Sequence, residues 1–248
     1  PIIYFSNVAS VPEYFERRFD TKTRLMALLV LMIYMIGYVG INLYTMGVAL
    51  NAMLGTDIFW SAVVVAVVCT VYVAAGGQAA VIMTDLLQGI LLLVAGFALF
   101  ALGIIALGGW EQFWSMLPES WRLPFAHFNR PHDFNFVGIF WQDGMANNVA
   151  VYFMNQGFIL RFLSLKSVRE GKKTLIFVLF ILMPLAAIAA ANAGWIGKAF
   201  VGAGILPADT GANQIFVTVA DKVCVPGLFG LIMAALVAAL MSTIDTLI

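Results

Sequence analysis

This chain carries apolar runs longer than any water-soluble core needs. Six stretches, 25–50, 58–75, 81–107, 136–160, 175–203 and 227–248, contain at most one charged residue each. A run of about 18 or more such residues reads as a membrane-spanning helix, since about 20 residues rising ~1.5 Å each cross ~30 Å of hydrocarbon. In lipid, a segment that must satisfy its own backbone polar groups does so as a helix. The expected fold class is therefore an all-α polytopic membrane protein with about six transmembrane helices. It is expected to be a single transmembrane domain over 1–248. Charged residues make up only 10% of the chain, against about 25% in soluble domains. Residues 1–7 read as the tail of an earlier span, and the sixth run ends without a cap, so truncation at both ends is expected. The formal net charge is zero, which gives nucleic acid no electrostatic handle. Cys69 and Cys224 sit in an apolar run and a loop, suggesting neither a disulfide framework nor a metal cluster.

Orientation follows from Lys and Arg. The segment 8–24 holds Arg17, Arg18, Lys22 and Arg24, and the connection 161–174 holds Arg161, Lys166, Arg169, Lys172 and Lys173. Both fall on one side if every run crosses once. The opposite side carries only Arg122, Arg130 and Lys222. The positive-inside rule makes 8–24 and 161–174 cytoplasmic inner loops and 108–135 an outer loop of a multi-pass protein of the cytoplasmic membrane. In the outer loop, Trp110, Phe113, Trp114 and Leu117 recur at helical spacing and predict a helix lying at the headgroup level, stopped by Pro118. His127 and His132 are expected to be solvated. In the inner loop, Val11 to Phe19 predicts a short interfacial helix with Pro12 near its first turn. Gly76-Gly77 predicts a tight inside turn, and Pro184 a kink within the fifth span.

Ionisable groups within a span cost about 2.5–3.5 kcal/mol each on insertion scales, so each is a functional candidate. Thr84, Asp85 and Gln88 lie within about one turn near the inner end of the third span. Asp85 is either such a functional residue or sits at the interface, where it favours the positive end of the helix dipole. In the fourth span Asp143, Asn147, Asn148 and Asn155 fall within an arc of roughly 140° at ~100° per residue, with Val151 inside it and Tyr152 and Gln156 flanking. Such a face lines a cavity or supplies interhelical hydrogen bonds. In the sixth span Ala235, Ala239, Ser242 and Thr246 share one face. Carbonyls, hydroxyls and the carboxylate of Asp245 there are hard oxygen ligands suited to an alkali cation, or the face serves close helix packing. Asn192 and Lys198 lie toward the outer end of the fifth span, where Lys198 snorkels to the headgroups.

Four blocks, in order along the chain, resemble the sodium/solute symporter family, the group that includes the sodium–glucose cotransporters. They are Val11-Pro12-Glu13-Tyr14-Phe15-Glu16-Arg17-Arg18-Phe19; Gly76-Gly77 with Ala80-Val81, Thr84-Asp85 and Gln88; Asn155-Gln156 with Arg161 and Lys166-Ser167; and Ala238 through Met241-Ser242-Thr243. The resemblance implies a partial LeuT-type inverted-repeat fold, here running from the end of core helix 2 to core helix 8. It implies sodium binding by Ala239, Ser242 and Thr243. Asp85 then marks a second cation site or the release path, and the extra carboxylate Asp245 is a further candidate for a second ion or a proton. Asn148, Val151 and Tyr152 match solute-side positions, joined by Asn147 and Asn155 from the polar face. Val151 replaces a gating aromatic, which argues against sugar.

The implied function is sodium-coupled symport of a small organic solute (sugar, polyol, amino acid or carboxylate) across the cytoplasmic membrane. Sodium is the coupling ion, the bilayer the other partner, and no cofactor is expected. The alternative class is a transporter-like sensor domain that signals to an attached cytoplasmic module. An enzyme is not expected: neither histidine lies within a span, and no nucleophile–base pair is apparent.

Overall fold

The structure, a computed structural model, describes residues 5, 8, 10–122, 140–148 and 156–247. Every regular element among them is helical. They group into two compact units, one of Pro1–Ile41, Phe125–Val178 and Leu247, the other of Asn42–Pro124, Leu179–Thr246 and Ile248. Four stretches, Thr21–Leu54, Ile58–Ala106, Val168–Gly202 and Pro226–Thr246, are long and apolar enough to cross a membrane.

The interfacial helix α1, Val11–Arg18, forms as its sequence predicts. The Ser10 hydroxyl accepts from the Glu13 N–H, Pro12 occupies the first turn, and Glu13 begins the helix while Arg17 and Arg18 end it. That order complements the helix dipole. Arg17 pairs with Glu13 at 2.6 Å, and Arg24 of α2 with Glu16 at 2.5 Å. Helix α2, Thr21–Leu54, is capped by Asp20, whose carboxylate accepts from the Thr23 N–H at 2.7 Å and the Thr23 hydroxyl at 2.6 Å. Large apolar side chains such as Leu29, Ile33 and Ile36 stand exposed along it. In water such a surface would be untenable at this size; in a bilayer, lipid or further helices cover it.

Helix α3, Ile58–Ala106, joins the second and third expected spans. At ~1.5 Å per residue it would far exceed the bilayer if straight. It is broken at Gly77, with φ 63° and ψ −174°. Only glycine enters that region without steric cost, so the predicted Gly-Gly turn is a single-residue break. Helix α4, Trp110–Met116, follows Gly109 and ends before Pro118. Trp110 stacks on Trp114 and stays exposed, while Phe113 and Leu117 are buried against the protein. The stretch therefore anchors on both of its faces. A helical turn, α5, Glu119–Arg122, closes the described part of this loop.

The fourth span differs from expectation where it is described. Phe140–Asn147 is π-helical, and α6, Gln156–Leu163, resumes α geometry. Bonds from i to i+5 widen the turn, so the 140° arc drawn at 100° per residue does not carry over to 140–147. The fifth span comprises α7, Val168–Phe177, a π-helical turn Val178–Leu182, and α8, Met183–Gly202. Pro184 stands in the first turn of α8. Its missing N–H and bulky ring disrupt the ordinary bond to the preceding turn, and the π turn just before it absorbs the misfit. Helix α9, Ile215–Val223, was not anticipated, and α10, Pro226–Leu247, is the sixth span.

The core of the second unit gathers Leu99 of α3, Phe113 and Leu117, Ile196 and Phe200 of α8, Val219 of α9, and Ile232 and Ala235 of α10. Helices α3 and α8 touch at two pairs seven residues apart. A Cβ on Gly96 would lie 2.5 Å from the Ala189 carbonyl oxygen, and one on Gly103 would lie 2.7 Å from the Ile196 side chain. Both pairs advance together, so the two helices run parallel along this contact. The Asn192 amide seals this seam, donating to the Gly96 carbonyl at 3.0 Å and to Ala189 at 2.7 Å. Lys198, on the same helix, is exposed.

Candidate cation site

Two polar places in the second unit lie on α10, on neighbouring sides of the helix. In the first, Ser242 donates its hydroxyl proton to Asp85 Oδ1 of α3 at 2.5 Å. Thr246, one turn on, donates to Asp85 Oδ2 at 3.4 Å and to the Ser242 carbonyl at 2.9 Å. The i, i+4 spacing of Ser242 and Thr246 puts both hydroxyls over the same turn of α3. A serine that gives its proton to a carboxylate keeps its oxygen lone pairs. The cluster therefore presents several oxygens and one formal negative charge, the donor set of a hard monovalent cation. Thr84, next to Asp85, spends its hydroxyl on the carbonyls of Ala80 at 3.1 Å and Val81 at 2.9 Å of its own helix.

Thr243 and Ala239 are half-buried on α10. At ~100° per residue they stand about 100° and 60° round from Ser242, on the side of Thr246. Ala239, Ser242, Thr246 and Thr243 thus cover one continuous arc, and Asp85 faces part of it.

The second place is Asp245. It is 3% exposed, and neither carboxylate oxygen has a hydrogen-bond partner. Its carboxyl faces Cys69 of the first half of α3, among Met46, Val65 and Ile244. The sequence grouped Asp85 and Asp245 as candidate cation carboxylates. The structure joins Asp85 to Ser242 and Thr246 and turns Asp245 to the neighbouring side, toward a thiol that is a weak donor.

Of the solute-side candidates, Asn148 is exposed in the first unit and donates to the Gly144 carbonyl at 3.2 Å. The backbone of Asn147 belongs to the π segment, and its side chain, like that of Asp143, lies outside the description. Val151, Tyr152 and Asn155 lie outside the described residues, as do His127 and His132. Sequence reasoning did not find the Asn192–Gly96 contact, because the acceptor is a backbone carbonyl with no side-chain signature. Among the described residues no group of three or more His, Cys, Asp or Glu side chains gathers as a metal site.

Comparison with known proteins adds an independent line. The profile of the sodium:solute symporter family matches residues 2–248. The chain is 34% identical over 186 residues to a putative sodium-dependent multivitamin transporter of Drosophila melanogaster, covering 73% of this chain and 30% of that protein. It is 33% identical over 180 residues to the human sodium-coupled monocarboxylate transporter 1, covering 71% and 29%. To the human sodium/iodide cotransporter it is 28% identical over 179 residues, covering 71% and 28%. The matched part of the chain thus spans about three tenths of the length of these curated relatives.

Proposed function

We propose, given that this chain belongs to the sodium:solute symporter family, that it forms part of the sodium-coupled pathway of a secondary active transporter. The family is one of membrane transporters, and the chain is part of a multi-pass membrane protein rather than of an enzyme. Within that frame, the protein carries a small organic solute with sodium across the cytoplasmic membrane. Its helices form part of a LeuT-type inverted repeat, core helix 2 to core helix 8, with six spans and with 8–24 and 161–174 inside. The relatives' names make monocarboxylates and vitamins the first solutes to try, and Val151 in place of an aromatic ring fits a solute other than sugar.

The observation that carries this reading is the oxygen cluster of Asp85, Ser242 and Thr246, which links α3 to α10 across 157 residues of sequence. Sodium is held by the Ala239 carbonyl and the Ser242 and Thr243 hydroxyls, with Asp85 next on its way inward. Asp245 supplies a further carboxylate beside them. Asn147, Asn148, Val151, Tyr152 and Asn155 line the solute's path. A sodium ion moving down 100 mV releases about 2.3 kcal/mol from the potential alone, and cation-dependent stabilisation of one conformation couples that release to the solute.

The test is uptake by proteoliposomes of the full-length protein with Ser242→Ala and Thr243→Ala together. The expected outcome is loss of sodium-stimulated uptake with normal membrane insertion. Sodium dependence unchanged from wild type would refute the assignment.

A further inference from the structure

Residues 10–24 hold more positive charge than their own carboxylates neutralise. Arg17 is closed by Glu13 at 2.6 Å and Arg24 by Glu16 at 2.5 Å. Asp20 spends its carboxylate on the Thr23 N–H and hydroxyl as the cap of α2. Arg18 and Lys22 are left exposed, with no carboxylate partner among the described residues. Arg18 is positioned by uncharged neighbours instead. Its Nη1 donates to the Tyr14 hydroxyl at 2.9 Å, one turn back on α1. Its guanidinium carbon lies 5.6 Å from the centre of the Phe19 ring, which stacks on Phe15 at 6.2 Å. A guanidinium has five N–H donors in a planar fork, so most of them remain to be used. Tyr14, accepting from Arg18, keeps its own O–H proton to donate.

Helix α2 sets the level of these groups. Lys22 lies in its first turn, and the exposed apolar side chains begin at Leu25 and Met26 and continue through Leu28 and Leu29. At ~1.5 Å per residue, Lys22 stands about one turn outside the surface that lipid tails would cover. That is the height of the headgroups, where the exposed Phe19 ring also fits.

We propose that Tyr14, Arg18 and Lys22 form a binding site for the phosphate of an anionic phospholipid. The proposal goes beyond the sodium reading and does not depend on it. The fork of Arg18 matches two phosphate oxygens at once, the Tyr14 hydroxyl donates to a third, and Lys22 adds a mobile point charge. A zwitterionic headgroup brings its own ammonium, which the two cations repel. An anionic one brings a net negative charge that offsets them, and basic groups beside a span draw such lipids to the surface.

Native mass spectrometry of the purified full-length protein tests this, by titration with phosphatidylglycerol, with phosphatidylcholine, and with phosphatidylglycerol in competition with inorganic phosphate. Wild type is expected to bind phosphatidylglycerol more tightly than phosphatidylcholine and to keep it in the presence of inorganic phosphate. Arg18→Gln with Lys22→Gln is expected to weaken the tightest phosphatidylglycerol binding by about thirtyfold, or about fivefold for each charge. Lys172→Gln with Lys173→Gln removes the same charge from α7 and is expected to leave that binding nearly unchanged. If the Arg18, Lys22 double variant does not yield folded protein, Lys22→Gln alone is expected to weaken binding about fivefold. Wild-type affinity in the Arg18, Lys22 variant, or in Lys22→Gln, overturns the site. Equal losses in the two double variants mean diffuse charge attraction and also overturn it. Phosphatidylcholine held as tightly as phosphatidylglycerol overturns the preference for an anionic lipid, and displacement by an equal concentration of inorganic phosphate overturns the lipid itself. None of these measurements involves sodium, so they leave the cation assignment to its own test.

Discussion

Replacing Gly96 with alanine tests the seam that positions α3. The added Cβ would fall 2.5 Å from the Ala189 carbonyl oxygen and 2.7 Å from the Ala189 Cβ, and the obstacle is backbone rather than a movable side-chain tip. Ordinary contact begins near 3.4 Å, so the helices must part by about 0.9 Å, the difference between the two distances. The Asn192 amide reaches the Gly96 carbonyl at 3.0 Å, and the same displacement takes that bond outside hydrogen-bonding range. Overpacking of this kind costs about 1–3 kcal/mol, and an interhelical hydrogen bond in a membrane protein averages about 0.6 kcal/mol. A loss of about 2 kcal/mol corresponds to a fall in Tm of about 4–8 °C where 150–250 residues unfold as one unit, and to less in a larger cooperative unit. The assay is thermal unfolding of the purified full-length protein, with Gly89→Ala as the control. Gly89 lies on the same helix and has nothing within 4 Å of an added Cβ, so its substitution is expected to leave Tm unchanged. A Gly96→Ala protein as stable as wild type, or a Gly89→Ala protein equally damaged, would refute the close-packing argument.

Two further outcomes follow from groups outside the spans. Hydrogen bonds from the Thr23 hydroxyl and then its backbone N–H hold the Asp20 carboxyl below its ordinary 3.8. A depressed folded-state value means the cap contributes above pH 3.8 and is lost as pH falls through the folded value below it. Hydrogen exchange of the first turn of α2 is expected to be slow at pH 5 relative to an Asp20→Ala variant, and a variant that protects this turn equally well would contradict the capping. Cys224 follows α9 and Cys69 is fully buried. A membrane-impermeant maleimide added outside is expected to modify Cys224 and to spare Cys69 in the folded protein. Burial pushes the Cys224 thiol up, so its labelling is expected to keep rising above pH 9. Modification of Cys69, or of Cys224 only from inside, would overturn the burial or the proposed topology.

The helices were legible where one physical rule dominates. Uncharged length gave α2 and both halves of α3, and the glycine pair located the break to within one residue. The proline marked where the fifth span loses α geometry, although not that a π turn would absorb the defect. Helix α9 was hidden because Ile215, Phe216, Val219 and Ala220 follow a Gly-, Asp- and Thr-rich stretch and are too few to span a membrane. Ser242, Thr246 and Asp85 each stood out alone as oxygen in an apolar helix. Their pairing depends on how α3 and α10 pack, which periodicity within one helix cannot convey. The direction of Asp245 was hidden for the same reason: whether a carboxylate meets a hydroxyl or a thiol is decided by the neighbouring helix.

The positive φ at Gly77 has a metrical consequence. Cys69 before it and Asp85 after it are both used against α10, so the break divides α3 into two arms that grip one rod on adjoining sides. An inserted residue between them would advance every later side chain by about 100°, carrying Asp85 away from Ser242 while Cys69 stayed beside Asp245. Gly77 and the buried Val81 apart, that interval is constrained by its count of residues more than by its composition.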